Sequence, residues 1–500
     1  MLEAKEGMAR QGEHRISFTD NAAGGSGERV GTGIVEKVTC PPIGPSVDER
    51  WIEELEQKFE RAFVDSPRQS RPPDDKKQLI ICKSSALDEE FSRPKVVTIG
   101  PFHRRDSKRI DKEKLFVMQF MSRLYNLDLA GCAQKMKNQA AEALKCYFFT
   151  DKPPCFDSTT GFAEILLLDS FFILLMLTCK ETFRRAVLTH EPDSSREQEN
   201  TQFRDDLLRF LDIIMQKDEI MLDLLILDNQ IPFFAVEELY KGLKLEKPLH
   251  EYALEFFATI HPMPNRGRKG QDTPLQFLHL LDLLHWSRVP KDKYHAVHTS
   301  HNQLEYSIDL PRHTPTAMEL RESATMFAEK TSGSSLDVTF RSGRLIPVVG
   351  VLNIPCLHIH DYSSRVFHSL IAFEMQCPSR GCCTMAFSAF MRSLLQSEED
   401  VKLLRRRGVL ANTSVTDGEL VDFFKRLSKL TENQQMPIDL YNVYRRVLSH
   451  HNRRMSRFCG SIVLRYFPNP LVTLSVFAAI MLFVLNFLQT IYTVLSYYHS

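Results

Sequence analysis

The sequence predicts a mainly α-helical protein with a small β-hairpin element, an α+β fold, that ends in one transmembrane helix. Three observations predict it. Apolar residues recur at helical spacing through most of 111–284 and again from "SRVFHSLIAFEMQ" to about His450. Short alternating runs interrupt that pattern between 336 and 361. The chain closes on "NPLVTLSVFAAIMLFVLNFLQTIYTVLSYYHS", and no Lys, Arg, Asp or Glu follows Arg465.

Residues 1–45 are Gly-rich, polar and aperiodic, which predicts disorder, and no Gly-Lys-Ser/Thr follows the glycines to make a phosphate loop. Order is expected from "SVDERWIEELEQKFERAF". There Ser46 and Glu49 match a capping box, and Trp51, Leu55, Phe59 and Phe63 fall on one helix face. "RPKVVTIGPFHRR" reads as an extended piece that Gly100-Pro101 turns into a loop. "GFAEILLLDSFFILLMLTC" has the length of a membrane span. Glu164 and Asp169 interrupt it, and a charge at a helix centre costs about 2.5–3.5 kcal/mol on insertion scales, so a buried helix is the better reading.

Further along, "LLRFLDIIMQKDEIMLDLLILDNQIPFFAVEELY" is helical until Pro232 forces a bend at Asn229–Pro232, after which a second helix resumes. Segments 261–275 and 287–313 read as loops, and "TAMELRESATMFAEK" as an amphipathic helix. "SLDVTF", "RLIPVVGVLNI" and "CLHIHDY" are the strand candidates, with Gly343 suited to a hairpin turn.

The 25 residues 471–495 make a helix of about 37 Å, enough to cross a hydrocarbon core of about 30 Å with some tilt. Asn486, Gln489 and Thr490 fall on one polar face of that span, a candidate contact for a homo-oligomer. Before it lie Arg445, Arg446, Arg453, Arg454, Arg457 and Arg465 without an acid, which by the positive-inside bias predicts that the bulk of the chain is cytosolic. "MLEAKEGMARQGEHRISF" has no apolar core, so no cleaved signal peptide is expected. Residues 401–465 hold 13 Lys or Arg against 5 Asp or Glu; beside a membrane this reads either as attraction to anionic headgroups or as a solvated helix face. The expected organisation is therefore a disordered segment over 1–45 and a helical domain over 46–450. A basic juxtamembrane segment over 451–470, a transmembrane helix over 471–495 and a short tail over 496–500 follow.

The whole chain carries 63 basic and 63 acidic residues, so no global field favours nucleic acid. Eleven cysteines without regular spacing suit a reducing compartment. No nucleophile elbow, HExxH, Walker A or kinase set is present, and "CPSRGCC" lacks a CxxC. Asp228, Asn229 and Gln230 in "DNQIPFF" sit where a forced bend frees backbone groups, and the side chains of Asn229 and Gln230 are expected to satisfy them. His279, Asp282 and His285 share an arc of about 120° on one helix, a core or rim cluster surrounded by leucines. Cys356, His358 and His360 alternate on one side of a strand, with Cys377, Cys382 or Cys383 as a fourth zinc ligand if a metal were bound. Asn412 opens the one glycosylation sequon, a topology probe.

Seven motifs in order, "VVTIGPFHR", "DLLILDNQIPFFAV", "FLHLLDLLHW", "TAMELRESATMF", "SLDVTFRSGRLIPVV", "DYSSRVFHSLIAFEM" and "NPLVTLS…FLQT", resemble the plant family catalogued as domain of unknown function 247. The resemblance spans about 46–498 and marks Gly100, Pro101, His103, Asp228, Asn229, Gln230, Pro232, Asp337 and Glu374 as motif positions. Asp228 stands where that family usually has Glu, His368 replaces Arg, Ser369 replaces Asn and Met375 replaces Gln. His285 lies outside the family pattern, and Cys356, His358 and His360 fall at variable positions, which fits a solvent-facing strand side.

What the resemblance implies is a plant membrane protein without established enzymatic activity; some grass members are implicated in pollen–stigma self-incompatibility. The expectation is a single-pass, non-catalytic interaction or recognition protein of the plasma membrane, with a protein partner and no metal or cofactor. An enzyme with a pocket around Asp228, Glu374 and His368, or a membrane scaffold, are the alternatives.

Overall fold

Nineteen residues, Thr159–Leu177, are apolar on nearly every side, and a helix of that kind must be covered all round. A computed structural model of the chain places it at the centre of the N-terminal half. The structure describes residues 81–82, 89–104, 108–149, 159–189, 197–260, 276–289, 315–330, 336–342, 349–411, 414–430, 438–466 and 470–499. The chain divides into two compact units, Met1–Pro72 and Pro73–Ser500, and every described residue belongs to the second. The disorder read for 1–45, the helix expected from Ser46, the Gly343 turn and the Asn412 sequon lie outside the described residues.

Leaving single-turn pieces unnumbered, the N-terminal half contains α1 (Lys108–Tyr125), α2 (Leu129–Leu144), α3 (Thr159–Leu177) and α4 (Cys179–Thr189). It continues through α5 (Glu197–Met215), α6 (Lys217–Asp223), α7 (Phe233–Leu243), α8 (Leu249–Phe256) and α9 (Leu280–Arg288). α3 packs against α1, α2 and α7, and its side chains from Ile165 to Leu177 are buried. Glu164 reaches the surface, while Asp169 is fully buried and meets Lys114 of α1 at 2.5 Å. Of the two charges that interrupt the apolar run, one lies at the surface and the other is buried against a partner.

The helix expected to run on to Pro232 ends earlier. α6 stops at Asp223, and 224–232 form an irregular loop. There Asp223, Leu224 and Ile226 present their carbonyls to the side-chain amides of Asn229 and Gln230, and only single turns, such as Ile226 N–H to Asp223 and Asn229 N–H to Ile226, continue the backbone bonding.

The C-terminal half contains α10 (Ala317–Glu322), α11 (Ser363–Gln376), α12 (Cys383–Leu394), α13 (Glu398–Arg406), α14 (Asp417–Lys429), α15 (Ile438–His451) and α16 (Arg454–Tyr466). Capping boxes open three of them, with Thr316, Ser397 and Thr416 each bonded reciprocally to the acid three residues on. "TAMELRESATMFAEK" is not one helix, contrary to its periodicity. α10 ends at Glu322, Ala324 takes a φ of 57°, and Thr325–Lys330 leave as strand β3. The local helical preference yields to pairing, because β3 runs parallel to β5 (Gly350–Pro355), which β4 (Thr339–Ser342) joins antiparallel. Leu320, Phe327, Leu352, Phe387 and Phe424 meet beneath this sheet in one core. Two short parallel pairs complete the strands: β1 (Ile81–Cys82) with β2 (Tyr147–Phe148), and β6 (Leu357–His358) with β7 (Leu410–Ala411).

The last helix, α17 (Pro470–His499), holds the window Leu474–Ser496, with a mean hydropathy of 2.1 and none of it buried. It is long and apolar enough to cross a membrane.

Candidate functional site

The extended piece Lys95–Pro101 has no strand to pair with, so its amides need other acceptors. Buried carboxylates and an amide supply them. Asp223 accepts from the backbone N–H groups of Lys95, Val96 and Val97 at 2.6–3.0 Å. Asn229 Oδ1 accepts from Ile99 at 2.6 Å while its Nδ2 donates to the carbonyls of Val97 and Asp223. Asp169 Oδ2 accepts from Gly100, and Lys114 Nζ donates both to Asp169 and to the Thr98 carbonyl. Two motifs 130 residues apart are thereby one unit.

Gly100 has a φ of 71°, and a Cβ there would stand 2.5 Å from the Gln230 carbonyl oxygen. That carbonyl accepts from Tyr147 Oη at 2.9 Å, and burial pushes the phenol of Tyr147 well above its ordinary pKa. Pro101 is buried next to it and Pro232 stands immediately before α7. At the rim of the unit, His103 Nε2 donates to Asp228 Oδ1 at 2.9 Å. The imidazole is partly exposed and the carboxylate buried.

A second polar cluster joins α9, α11 and α12. Glu374 accepts from the amides of Thr384 and Met385 at 2.7 and 2.8 Å, which places a carboxylate at the positive N-terminal end of α12. His285 Nε2 donates to the same carboxylate at 2.8 Å. Asp282 accepts from Arg380 and from the Leu278 amide. His279 stands as the N-cap of α9, its Nδ1 accepting from the Asp282 amide. Burial, with the charge of Arg380 beside it, pushes the imidazole of His279 down to about 3. Arg288 lies over the Phe367 ring, and burial lowers its pKa to about 10 against the pull of Glu374. Arg365 links the two halves, reaching Glu219 and the buried Asp223 from α11.

Asp228, Glu374 and His368 have different partners. His368 stacks on Phe91 and bonds the Ser364 carbonyl, while Asp228 meets His103 and Glu374 meets His285. Cys356 and the two histidines after it are not a solvent-facing row: Cys356 is buried and His358 and His360 are half-buried, and of residues 356–360 only Leu357–His358 form strand, paired with β7. Among the described residues no group of three His, Cys, Asp or Glu side chains is placed to hold a metal. Asp337 pairs with Lys330 beside β3. In α17, Thr490 bonds the Asn486 carbonyl and Thr493 that of Gln489.

One feature had no signal in the sequence. A cleft of about 610 Å³ opens where α3 turns into α4, lined by Lys180, Arg184, Lys217, Lys244, Tyr252 and Glu255 among others. These residues come from four separate segments, and none of the motif positions lines it. Its charges are largely balanced locally, Arg184 with Glu181 and Lys247 with Glu255, while Lys217 covers the Phe256 ring.

A helical body stitched by these motifs matches a known pattern. The family model described as a plant protein of unknown function, DUF247, matches residues 82–485, and the chain belongs to that family. It is similar to a UPF0481 protein of Arabidopsis thaliana, 24% identical over 428 residues that cover 82% of this chain and 84% of that protein. A second UPF0481 protein of the same plant is 25% identical over 182 residues, 36% of this chain and 33% of its own. No solved structure matches the chain.

Proposed function

We propose that this is a plant membrane-anchored interaction protein without catalytic activity, held by α17 with its helical body on the cytosolic side of the plasma membrane. The observation that carries the reading is the use made of the buried polar residues. Asp169, Asp223, Asn229 and Glu374 are each buried, and each gives at least one oxygen to a backbone amide. Groups committed in this way build a rigid surface rather than a reacting centre. Signalling, or recognition of the pollen–stigma type, is the process that the family resemblance suggests. Proximity labelling with the intact chain in its native tissue tests the reading. A restricted set of protein neighbours at the membrane is expected; neighbours no different from those of an unrelated anchored protein would oppose it.

A second reading is favoured by one pair. His103 and Asp228 form a near-surface imidazole–carboxylate couple of the kind that moves protons. Turnover of any substrate by the purified chain, lost in His103→Gln, would establish an enzyme in place of a recognition protein.

A further inference from the structure

The basic segment before the apolar helix is folded, and it is fixed to the body. α16 rests on α10 through Ser456 and Gly460, both buried. A Cβ at Gly460 would overlap the Glu322 carbonyl, so only glycine lets the two backbones approach this closely. At 100° per residue, the side opposite those contacts carries Phe458, flanked by Arg454 and Met455, with Arg457 on the edge of that face. Phe458 is 61% and Met455 60% exposed.

Arg445, Arg446 and Arg453 are also exposed, and none of these five arginines pairs with a carboxylate among the described residues. The chain holds no acid after Asp439. Three residues separate Tyr466 from Pro470, a reach of at most about 14 Å.

We propose that α16 is an interfacial helix that seats the body on an anionic bilayer. Phe458 and Met455 insert at the level of the upper acyl chains, and the arginines hold lipid phosphates. The proposal rests on the anchoring reading of α17. A helix held rigidly on the body and joined by so short a link to a span has its outer face within the headgroup layer. Exposed aromatic and thioether side chains among arginines that have no carboxylate partner among the described residues match that layer, whose anionic lipids attract neighbouring arginines. Anchor and body then form one unit with a fixed orientation to the membrane, rather than a domain on a tether.

The test uses the full chain reconstituted in vesicles of phosphatidylcholine, with or without phosphatidylserine, carrying acyl-chain bromines that quench tryptophan. Phe458→Trp is the reporter and Met455→Trp a second one. The unsubstituted protein gives the background of Trp51 and Trp286, and Met215→Trp, at a position 85% exposed on α5, is the reference. Both reporters are expected to lose most of their added fluorescence in anionic vesicles, with less loss in neutral ones, while the reference keeps its own. Replacing Arg453, Arg454 and Arg457 together with Gln is expected to abolish the increment due to phosphatidylserine. Reporters quenched no more than the reference would overturn the proposal and leave this face to a protein partner. Quenching indifferent to phosphatidylserine would overturn the anionic preference. Flotation of the vesicles after an alkaline wash separates the two readings: protein that fails to float defeats the anchor, and protein that floats with unquenched reporters defeats only the interfacial helix.

Discussion

The α-carbon of Gly100 lies so close to the Gln230 carbonyl that a methyl group on it would stand 2.5 Å from the oxygen. The contact locks the turn after Lys95–Ile99 onto the loop after α6.

Gly100→Ala is therefore expected to destabilise the protein for two reasons. A non-glycine residue at a φ of 71° costs about 1–3 kcal/mol, and the overlap with Gln230 adds to it. The denaturation midpoint of the intact chain in detergent should fall clearly, and an unchanged midpoint would contradict the geometry.

Asn229→Leu removes the acceptor of the Ile99 amide and the donor to the Val97 and Asp223 carbonyls. Each buried group left unpaired costs about 1–3 kcal/mol. Faster hydrogen exchange at Ile99, with a lowered midpoint, is the expected result. An Ile99 amide as protected as in the parent would count against the account.

Lys114 and Asp169 are a buried pair, and removing one partner strands the other charge. Lys114→Met should cost about 3–5 kcal/mol. Adding Asp169→Leu should restore part of the loss but not all, since the Gly100 amide and Thr98 carbonyl stay unpaired. A double variant as unstable as the sum of its singles would show that the pair is not coupled.

The His279 imidazole gives stability a pH dependence of known sign. Its folded pKa of about 3 lies below the ordinary 6.5, so between these values the unfolded chain binds a proton that the folded chain does not. The contribution is complete above pH 6.5 and is lost as pH falls towards 3, at a slope of about 1.4 kcal/mol per pH unit. His279→Asn keeps an N-cap acceptor and removes the titration, so its stability should decline less steeply across that window. Burial also lowers His250 and His450, but both are present in each protein and cancel in the comparison. Superimposable acid-denaturation curves would contradict the assignment.

Much of this architecture was legible because helical spacing and glycine–proline punctuation are local. "DNQIP" was readable as a bend whose amides cap backbone groups. What they cap was not, since Val97 and Ile99 lie 132 and 130 residues away. Asp169 was visible as an interruption in an apolar run, yet its role depends on Lys114 and Gly100, which only the packing of α3 brings to it. Thr325–Lys330 read as helix because its periodicity is helical, and the parallel partner that overrides it begins 25 residues later at Gly350. Cys356 is buried just before Leu357–His358, whose partner β7 is again a distant segment. Sequence alone holds the local terms; the polar network is set by non-local ones.

The central claim is that α17 anchors this body in a membrane, and alkaline carbonate extraction of membranes from plant cells expressing the intact chain tests it most directly. The account predicts that the protein stays in the membrane pellet at high pH and is released only by detergent. Release into the carbonate supernatant, with the chain otherwise intact, would contradict it.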